Sequence, residues 1–120
     1  MQGHQFRKLL IWQRGMQFVT DVYALTSQFP KKEQFGLTDQ IRRAAISIPL
    51  NIAEGSGTSS NREFFHFLTF AKRSAYEVIT GLEIASTLKY ANNITIQSLI
   101  KECEDICSMI VGFSKQISES

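Results

Sequence analysis

Apolar residues recur every three or four positions in four stretches of the chain, and this spacing predicts four helices. The first helix is predicted from about Leu9 to Phe29, where Pro30 disfavours helical geometry at the residue before it. Its apolar stripe is Leu9, Trp12, Met16, Val19, Tyr23 and Thr26, and Ile11, Phe18, Val22 and Leu25 widen this stripe.

The second helix is predicted from about Gln34 to Gly55, followed by the polar run GSGTS in which glycine takes the C-terminal position. Its core-facing residues are Leu37, Ile41, Ala44, Ile48 and Ile52. Pro49 lies inside this helix, where it removes one backbone donor and crowds the carbonyl of Ala45. A kink is therefore expected near Pro49.

The third helix is predicted to begin after Ser60, because Glu63 stands three residues on in the capping-box pattern. Its apolar residues repeat as a heptad: Phe64, Leu68, Ala71, Ala75, Val78, Leu82 and Ala85. Thr95 is the predicted cap of a fourth helix with the apolar set Ile96, Leu99, Cys103, Ile106, Ile110, Phe113 and Ile117. Short connections then predict an all-α, antiparallel up-and-down four-helix bundle over residues 9–118, preceded by a loose segment at residues 1–8.

A second set of apolar residues lies outside these core stripes. On a helical wheel, Ile46, Leu50 and Ala53 fall opposite the core face of the second helix. Phe65, Tyr76 and Tyr90 lie off the heptad of the third helix. Aligned exposed apolar residues indicate an interface, so we expect a homo-oligomer. The alternatives are that an N-terminal segment covers these residues or that they are simply exposed.

Polar residues line one flank of the second helix at a spacing of three and four: Gln40, Arg43, Ser47, Asn51 and Glu54. One interpretation is a binding groove. The other, which we favour, is a hydrogen-bonded network that braces the proline kink and the neighbouring helices. Glu54 has no paired acid or histidine at a fixed spacing, and general acid–base catalysis needs such positioned partners. We therefore expect no catalytic residues.

The basic residues singled out as a candidate nucleic-acid contact are Arg42, Arg43, Arg62, Lys72 and Arg73. Arg62, His66, Thr69 and Arg73 follow helical spacing on the side of the third helix away from its core. Such a stripe is suited to phosphate contacts, although a solvated helix face has the same pattern. The formal net charge of one chain is only +2, so basic patches would have to add up across identical copies.

Composition excludes several other classes of protein. With 43% hydrophobic residues and no long apolar run, the chain has no predicted membrane span, and its N-terminus lacks a signal-peptide pattern, so we expect a cytoplasmic protein without a membrane partner. Cys103 and Cys107 are interpreted as small core residues. Neither His4 nor His66 stands near them at metal-ligand spacing, and we expect no metal, cofactor or small-molecule substrate.

Long sequence motifs resemble a known family. FGLTDQIRRAAISIPLNIAEGSG, then NREFFHFLTFAKRSAYEV, and WQRGMQFVTDVYALTSQFP at the front, resemble the proteins named for intervening sequences in bacterial 23S ribosomal RNA genes. The resemblance implies a four-helix bundle and, as in some members, a homopentamer. One relative is an accessory to a reverse transcriptase and binds nucleic acid through a basic surface, so nucleic-acid binding is one function that the resemblance suggests.

Carried over residue by residue, the resemblance makes Arg42 and Arg43 the basic pair, and Asn51, Glu54 and Gly55 the signature at the end of the helix. The chain departs from the pattern at Arg73, where glycine is expected, and at Thr58, where a basic residue is expected. The second departure weakens a phosphate-binding role for this loop.

The resulting hypothesis is a non-catalytic homo-oligomer, a pentamer by resemblance, that binds RNA or a ribonucleoprotein through pooled basic residues. The alternative is a protein–protein adaptor or accessory subunit for a nucleic-acid enzyme. A ribonuclease is disfavoured, because no catalytic constellation is visible.

Overall fold

The computed structural model describes residues 5–118, and over this range the chain is all-helical. The four helices are α1 (Leu10–Thr26), α2 (Leu37–Ser56), α3 (Asn61–Thr87) and α4 (Asn93–Ser118). Two short 3-10 turns, Phe6–Lys8 and Lys31–Glu33, precede α1 and α2. The predicted four-helix fold is confirmed.

The helices form a closed ring in which each packs on two neighbours. Close backbone contacts join α1 to α2, α2 to α3, α3 to α4, and α4 back to α1. Within the described range, the diagonal pairs α1–α3 and α2–α4 do not approach each other. The α1/α2 side of the bundle is therefore opposite the α3/α4 side, and the molecule is elongated, at 45 × 22 × 20 Å.

Helix α1 buries mainly the residues predicted to widen its apolar stripe, and only part of the stripe itself. The buried residues are Ile11, Gly15, Phe18, Val22, Leu25 and Thr26. Met16 and Tyr23 of the predicted stripe are exposed, so that prediction is wrong for these two residues. The reason is that both stripes are apolar and periodicity does not fix the rotation of the helix. The contact of α1 with α2 does so, because Gly15 lies against Pro49.

Helix α2 buries the predicted residues Ile41, Ala44, Ile48 and Ile52, while Leu37 is only half-buried. It continues through Pro49, which is itself buried, and the bend predicted there stays a prediction.

Helix α2 ends within the predicted run GSGTS, and a glycine takes the C-terminal position as predicted. Helix α2 ends at Ser56, and the capping residue is Gly57 with φ −87°, in the right-handed region. Gly55 is instead a packing position, since a Cβ atom there would lie 2.7 Å from both Phe64 Cδ1 and Phe67 Cβ.

Helix α3 agrees with the heptad, because all seven predicted core residues are buried. Ser60 is its cap, as predicted: the Ser60 hydroxyl oxygen accepts from the Glu63 N–H at 3.1 Å. The Glu63 carboxylate accepts a hydrogen bond from the Ser59 hydroxyl at 3.3 Å.

The predicted cap of α4 is wrong by three residues. Helix α4 begins at Asn93, so Thr95 is its third residue and its N–H has no carbonyl partner within the helix. The side-chain oxygen of Asn92 accepts from this N–H at 3.2 Å and caps the helix.

The segment predicted to be loose is partly ordered. Phe6 packs edge-on against Trp12, with ring centroids 5.3 Å apart, and the Arg7 guanidinium lies over the Phe6 ring. Residues 1–4 of that predicted segment lie outside the described residues.

The core interpretation of the two cysteines is confirmed. Both are free and buried. Burial raises the pKa of Cys103 to about 12, and its thiol donates to the Ala75 carbonyl at 3.5 Å.

Two polar contacts close the bundle. Arg14 of α1 donates through Nε and Nη2 to one carboxylate oxygen of Glu102 on α4, at 3.1 and 2.9 Å. At one end of the bundle, the Tyr90 hydroxyl donates to Glu33 at 2.7 Å, and a second Glu33 oxygen accepts from the Leu37 N–H at 3.0 Å. The Glu33–Tyr90 bond ties the connection between α1 and α2 to the connection between α3 and α4.

We predict opposite stability changes for two matched glycine substitutions. Gly81→Ala would place a Cβ atom 2.6 Å from Ile41 Cγ1, so we expect a loss of about 1–3 kcal/mol from overpacking. Gly112→Ala, also inside a helix, meets nothing within 4 Å and should gain about 0.5–1 kcal/mol through helix propensity. Urea denaturation measures both changes, and equal changes would contradict this packing.

We also predict that Tyr90→Phe weakens the pH dependence of stability. The Tyr90 hydroxyl and then the Leu37 N–H lower the pKa of Glu33 from its ordinary value of 4.5. The folded state therefore binds protons less readily than the unfolded state. Its Glu33-dependent stability is present above pH 4.5 and is lost as the pH falls through the folded-state pKa.

Denaturation at a series of acidic pH values checks this prediction. In Tyr90→Phe the loss of stability on acidification should be smaller than in the wild type. Tyr23→Phe is the matched control, because no described hydrogen bond involves the Tyr23 hydroxyl and the ring is kept. An unchanged acid slope in Tyr90→Phe would rule out the Glu33 contact as its source.

Candidate nucleic-acid and assembly interfaces

Arg42, the first residue of the predicted basic pair, joins α1 to α2. Its Nε donates to the Thr26 hydroxyl at 2.8 Å and its Nη2 donates to the Tyr23 carbonyl at 3.3 Å. The guanidinium also lies over the Tyr23 ring, 4.3 Å from its centroid. Two nitrogen atoms of the Arg42 guanidinium, Nε and Nη2, are thus used inside the fold.

Arg43 lies on the outer surface of α2, where its side chain is accessible to a ligand. Its side chain is 79% exposed, and its Nε donates to Asp39 one turn earlier at 3.0 Å. An exposed ion pair of this kind contributes little stability, so the Asp39 carboxylate is a weak competitor for a ligand phosphate.

The remaining basic residues separate into two groups on α3. Arg62, His66 and Arg73 are exposed along the outer face of the helix. Lys72 lies on the other flank, in a shallow groove between α3 and α4 that also contains Lys115. The five residues predicted to contact nucleic acid therefore form no single patch on one chain.

The polar flank of α2 contains a hydrogen-bonded network at its centre. The Asn51 amide donates to the carbonyl and the hydroxyl of Ser47, each at 2.8 Å. The Ser74 hydroxyl of α3 donates to the Ser47 hydroxyl at 2.9 Å. Gln40 and Glu54, at the ends of the flank, are exposed. This arrangement favours the bracing interpretation, with α3 as the braced neighbour.

In the turn after α2, backbone carbonyls are hydrogen-bonded by a side chain of the turn itself. Thr58, where the resemblance predicts a basic residue, donates its hydroxyl to the Gly55 carbonyl at 2.7 Å. A second contact joins the same hydroxyl to the Ser60 carbonyl at 3.2 Å.

The predicted interface residues fall on two opposite sides of the bundle. Ile46, Leu50 and Ala53 follow Arg42 at helical spacing, on the α1/α2 side where Arg42 meets Tyr23. Leu50 is 55% exposed, and Ile46 and Ala53 are half-buried. Exposed Met16 and Tyr23 extend this surface, which we call the α1/α2 face. Both residues belong to the apolar stripe that the spacing predicts as the core of α1.

Phe65 and Tyr76 lie on the opposite side, which we call the α3/α4 face. Tyr76, which is 54% exposed, lines an open groove of about 480 Å³ with Ile79, Glu104, Cys107, Ser108 and Val111. Phe65 lines a neighbouring groove that also reaches Val111. Val111 was not predicted as an interface residue, although its place outside the core stripe of α4 was an available signal. Tyr90, also predicted as an interface residue, is half-buried by its contacts with Glu33 and Phe29.

The thiol at this groove belongs to Cys107. Burial raises the pKa of Cys107, against smaller lowering effects of the Tyr76 hydrogen bond and of nearby Lys72. A thiol held in its neutral form is a poor nucleophile. Over residues 5–118, no group of three or more histidine, cysteine or acidic side chains is placed to hold a metal ion.

The fold and these surfaces define a four-helix bundle with two opposed apolar faces and dispersed basic residues. In residues 7–112 the chain matches the model of the family described as the 23S rRNA-intervening sequence protein. The chain belongs to this family.

A solved structure is similar over almost its whole length. It is a crystal structure of a protein with unknown function from the S23 ribosomal protein family of Bacteroides thetaiotaomicron. The two chains are 21% identical, the match covers 88% of this chain and 99% of the other, and the TM-score is 0.82. At this identity the match supports the fold alone. No curated protein matches the chain, and none of the described helices is long and apolar enough to cross a membrane.

Proposed function

We propose that this protein is a non-catalytic, cytoplasmic homo-oligomer that binds RNA or a ribonucleoprotein through basic residues pooled from several copies. The observation that carries the proposal is the pair of apolar faces on opposite sides of one bundle. A surface that meets a different surface on the next copy makes a heterologous contact, and such contacts close into rings when the rotation allows.

The heights of the two faces along the bundle favour this kind of contact. The Ser47–Ser74 hydrogen bond sets α2 and α3 side by side near their middles. Leu50 lies three residues after Ser47, and Tyr76 lies two residues after Ser74. Because α2 and α3 are antiparallel, these two offsets run in opposite directions and separate Leu50 from Tyr76 by about 8 Å along the bundle, which is small against its length of 45 Å. Copies can stand side by side with their long axes roughly aligned.

Assembly also compensates for the low charge of one chain. If five copies assemble, as the resemblance implies, the formal charge is 5 × (+2) = +10. Arg73 lines neither groove of the α3/α4 face, so it stays exposed when both faces are covered, whereas Arg62 lies at the edge of that face in a groove with Phe65. Each phosphate contact releases counterions, so the contacts made by several copies together give a steeper fall of affinity with rising salt.

A second candidate function is a protein–protein adaptor or an accessory subunit for a nucleic-acid enzyme. The open groove lined by Tyr76 and Val111 favours it, because an apolar groove between two helices accepts an amphipathic helix of a partner. Pull-down with and without nuclease separates the two functions. Partners retained after nuclease treatment would favour the adaptor.

The assembly is tested by Leu50→Asp, which places a charge on the α1/α2 face. We expect the assembled mass in sedimentation velocity to fall toward that of one chain. Leu88→Asp is the matched control: Leu88 is 50% exposed but lies at the end of α3, outside both faces. An unchanged mass in Leu50→Asp, with helicity intact by circular dichroism, would overturn the proposed interface.

RNA binding is tested by filter binding to a structured RNA across a salt series. The wild type should bind at low salt and lose affinity steeply as salt rises. The double variant Arg62→Gln, Arg73→Gln should bind more weakly with a shallower slope, by about one unit for every phosphate that the variant no longer neutralises. Gln40→Ala is a neutral control. No binding at low salt, or a flat salt response, would contradict RNA binding.

A further inference from the structure

The two large apolar side chains with the highest exposed fractions in the described part of the chain are at one end of the bundle, away from both apolar faces. Phe35, between the turn at Lys31–Glu33 and α2, is 90% exposed, and Ile94, in the first turn of α4, is 80% exposed. Leu88, at the end of α3, is also exposed. The Glu33–Tyr90 hydrogen bond and the packing of Phe29 on Tyr90, with ring centroids 5.8 Å apart, hold these segments at the same end.

Three lysines belong to the same two connections or to the residues beside them. Lys31 and Lys32 belong to the connection before α2, and Lys89 follows Leu88. We call the six residues the lysine tip: Lys31, Lys32, Phe35, Leu88, Lys89 and Ile94. In the described part of the chain, none of these lysines forms an ion pair.

The charge of the two connections is high for their length. Residues 27–36 and 88–92 together contain three lysines and one glutamate, 3 − 1 = +2, which equals the formal charge of all 120 residues. Of the nearest further acids, Asp39 is ion-paired with Arg43, and Glu83 lies more than one turn before the end of α3.

We propose that the lysine tip docks on the surface of an anionic lipid bilayer, with Phe35, Ile94 and Leu88 entering the interface and the lysines contacting headgroups. Apolar side chains flanked by lysines are the pattern of interfacial membrane contacts. Each lysine near an anionic surface adds attraction. This contact needs neither a membrane-spanning helix nor a signal peptide, and the expectation of no membrane partner was based on composition and on the lack of both.

Other occupants fit the tip less well. A second copy would bring lysines against lysines, which repel. RNA would pair with the lysines and could stack on Phe35, but the aliphatic Leu88 and Ile94 have no counterpart in a strand of stacked bases and phosphates. A folded protein partner would need a cavity to receive these projecting side chains, whereas a fluid interface can admit them. The proposal does not depend on RNA binding or on assembly.

The test is flotation of the full-length protein with two kinds of vesicle. One kind is phosphatidylcholine alone, and the other contains about one third phosphatidylglycerol, a proportion that gives a strongly negative surface. We expect binding to the anionic vesicles and little to the neutral ones. No binding to the anionic vesicles would overturn the proposal.

Two sets of variants separate the charge from the apolar contact. The first is Lys31→Gln, Lys32→Gln and Lys89→Asn, with asparagine chosen because φ at Lys89 is 59°, which asparagine tolerates. We expect affinity to fall roughly 100-fold. The second is Phe35→Ser with Ile94→Ser, for which we expect a fall of about tenfold or more. Phe70→Ser, an exposed phenylalanine on the side of α3, is the control and should bind like the wild type.

These side chains are exposed, so the variants should fold, and circular dichroism checks this. An independent readout is Phe35→Trp, whose fluorescence should shift to shorter wavelength with anionic vesicles, whereas that of Phe70→Trp should not. If only the lysine variant loses binding, there is charge attraction without insertion and the proposal fails. The proposal also fails if the wild type does not bind vesicles and the tip variants lose RNA binding. In that case the lysine tip is a nucleic-acid contact.

Discussion

The close approach of α2 to α3 is the constraint on which the rest of the bundle depends. At Gly81 a single added carbon would lie 2.6 Å from Ile41 Cγ1, and at Gly55 it would lie 2.7 Å from Phe64 Cδ1. Between these two points the Ser47 and Ser74 hydroxyls meet at 2.9 Å. Three contacts along one seam fix both the separation and the antiparallel register of the two helices. A shift of either helix along its axis would break the hydrogen bond and force a side chain against the other backbone.

The orientation of the outer surfaces follows from this seam. Once α2 presents Ile41, Ile48 and Ile52 to the core, the residues half a turn away must face outward, and Leu50 is among them. The same rotation aims Arg42 at α1, where the Thr26 hydroxyl and the Tyr23 ring receive it. On α3, the heptad that fills the core leaves Arg62 and Arg73 on the outer face. The candidate binding surfaces are thus consequences of core packing. A substitution that rotates α2 would move every candidate surface on that helix.

Sequence reasoning reached the fold and most of the core because apolar spacing reports helices directly, and the heptad of α3 is buried at every position. It failed at α1, where Met16 and Tyr23 belong to one apolar stripe and Phe18 and Val22 to another. Spacing alone cannot choose between two apolar stripes, since only contact with a neighbouring helix sets the rotation.

The candidate site was less predictable, because its residues are defined by what they touch across the bundle. Arg42 and Arg43 are adjacent in sequence and equal in charge, yet Arg42 binds Thr26 on another helix and Arg43 pairs with Asp39 on its own. Residue type and spacing constrain which chemistry is available, but the partner helix decides whether it is used in folding or left for binding.

Cations that are used in contacts between helices are not available to a ligand, which limits the residues that can form a binding surface on this protein. Arg42 and Arg14 are used between helices, where each donates to a group on a neighbouring helix. Among the cations of residues 5–118 that form no ion pair are Arg62 and Arg73 along the outer face of α3 and the three lysines at the end of the bundle. These two groups differ in their surroundings: Arg62 and Arg73 share the outer face of α3 with the polar His66, whereas the lysines lie at the same end of the bundle as exposed Phe35 and Ile94. A stripe of basic and polar side chains suits phosphates in solution, whereas the lysine tip, with its exposed apolar side chains, suits a surface that is both charged and apolar. One bundle therefore carries two chemically different basic surfaces, and a single ligand would leave one of them unexplained.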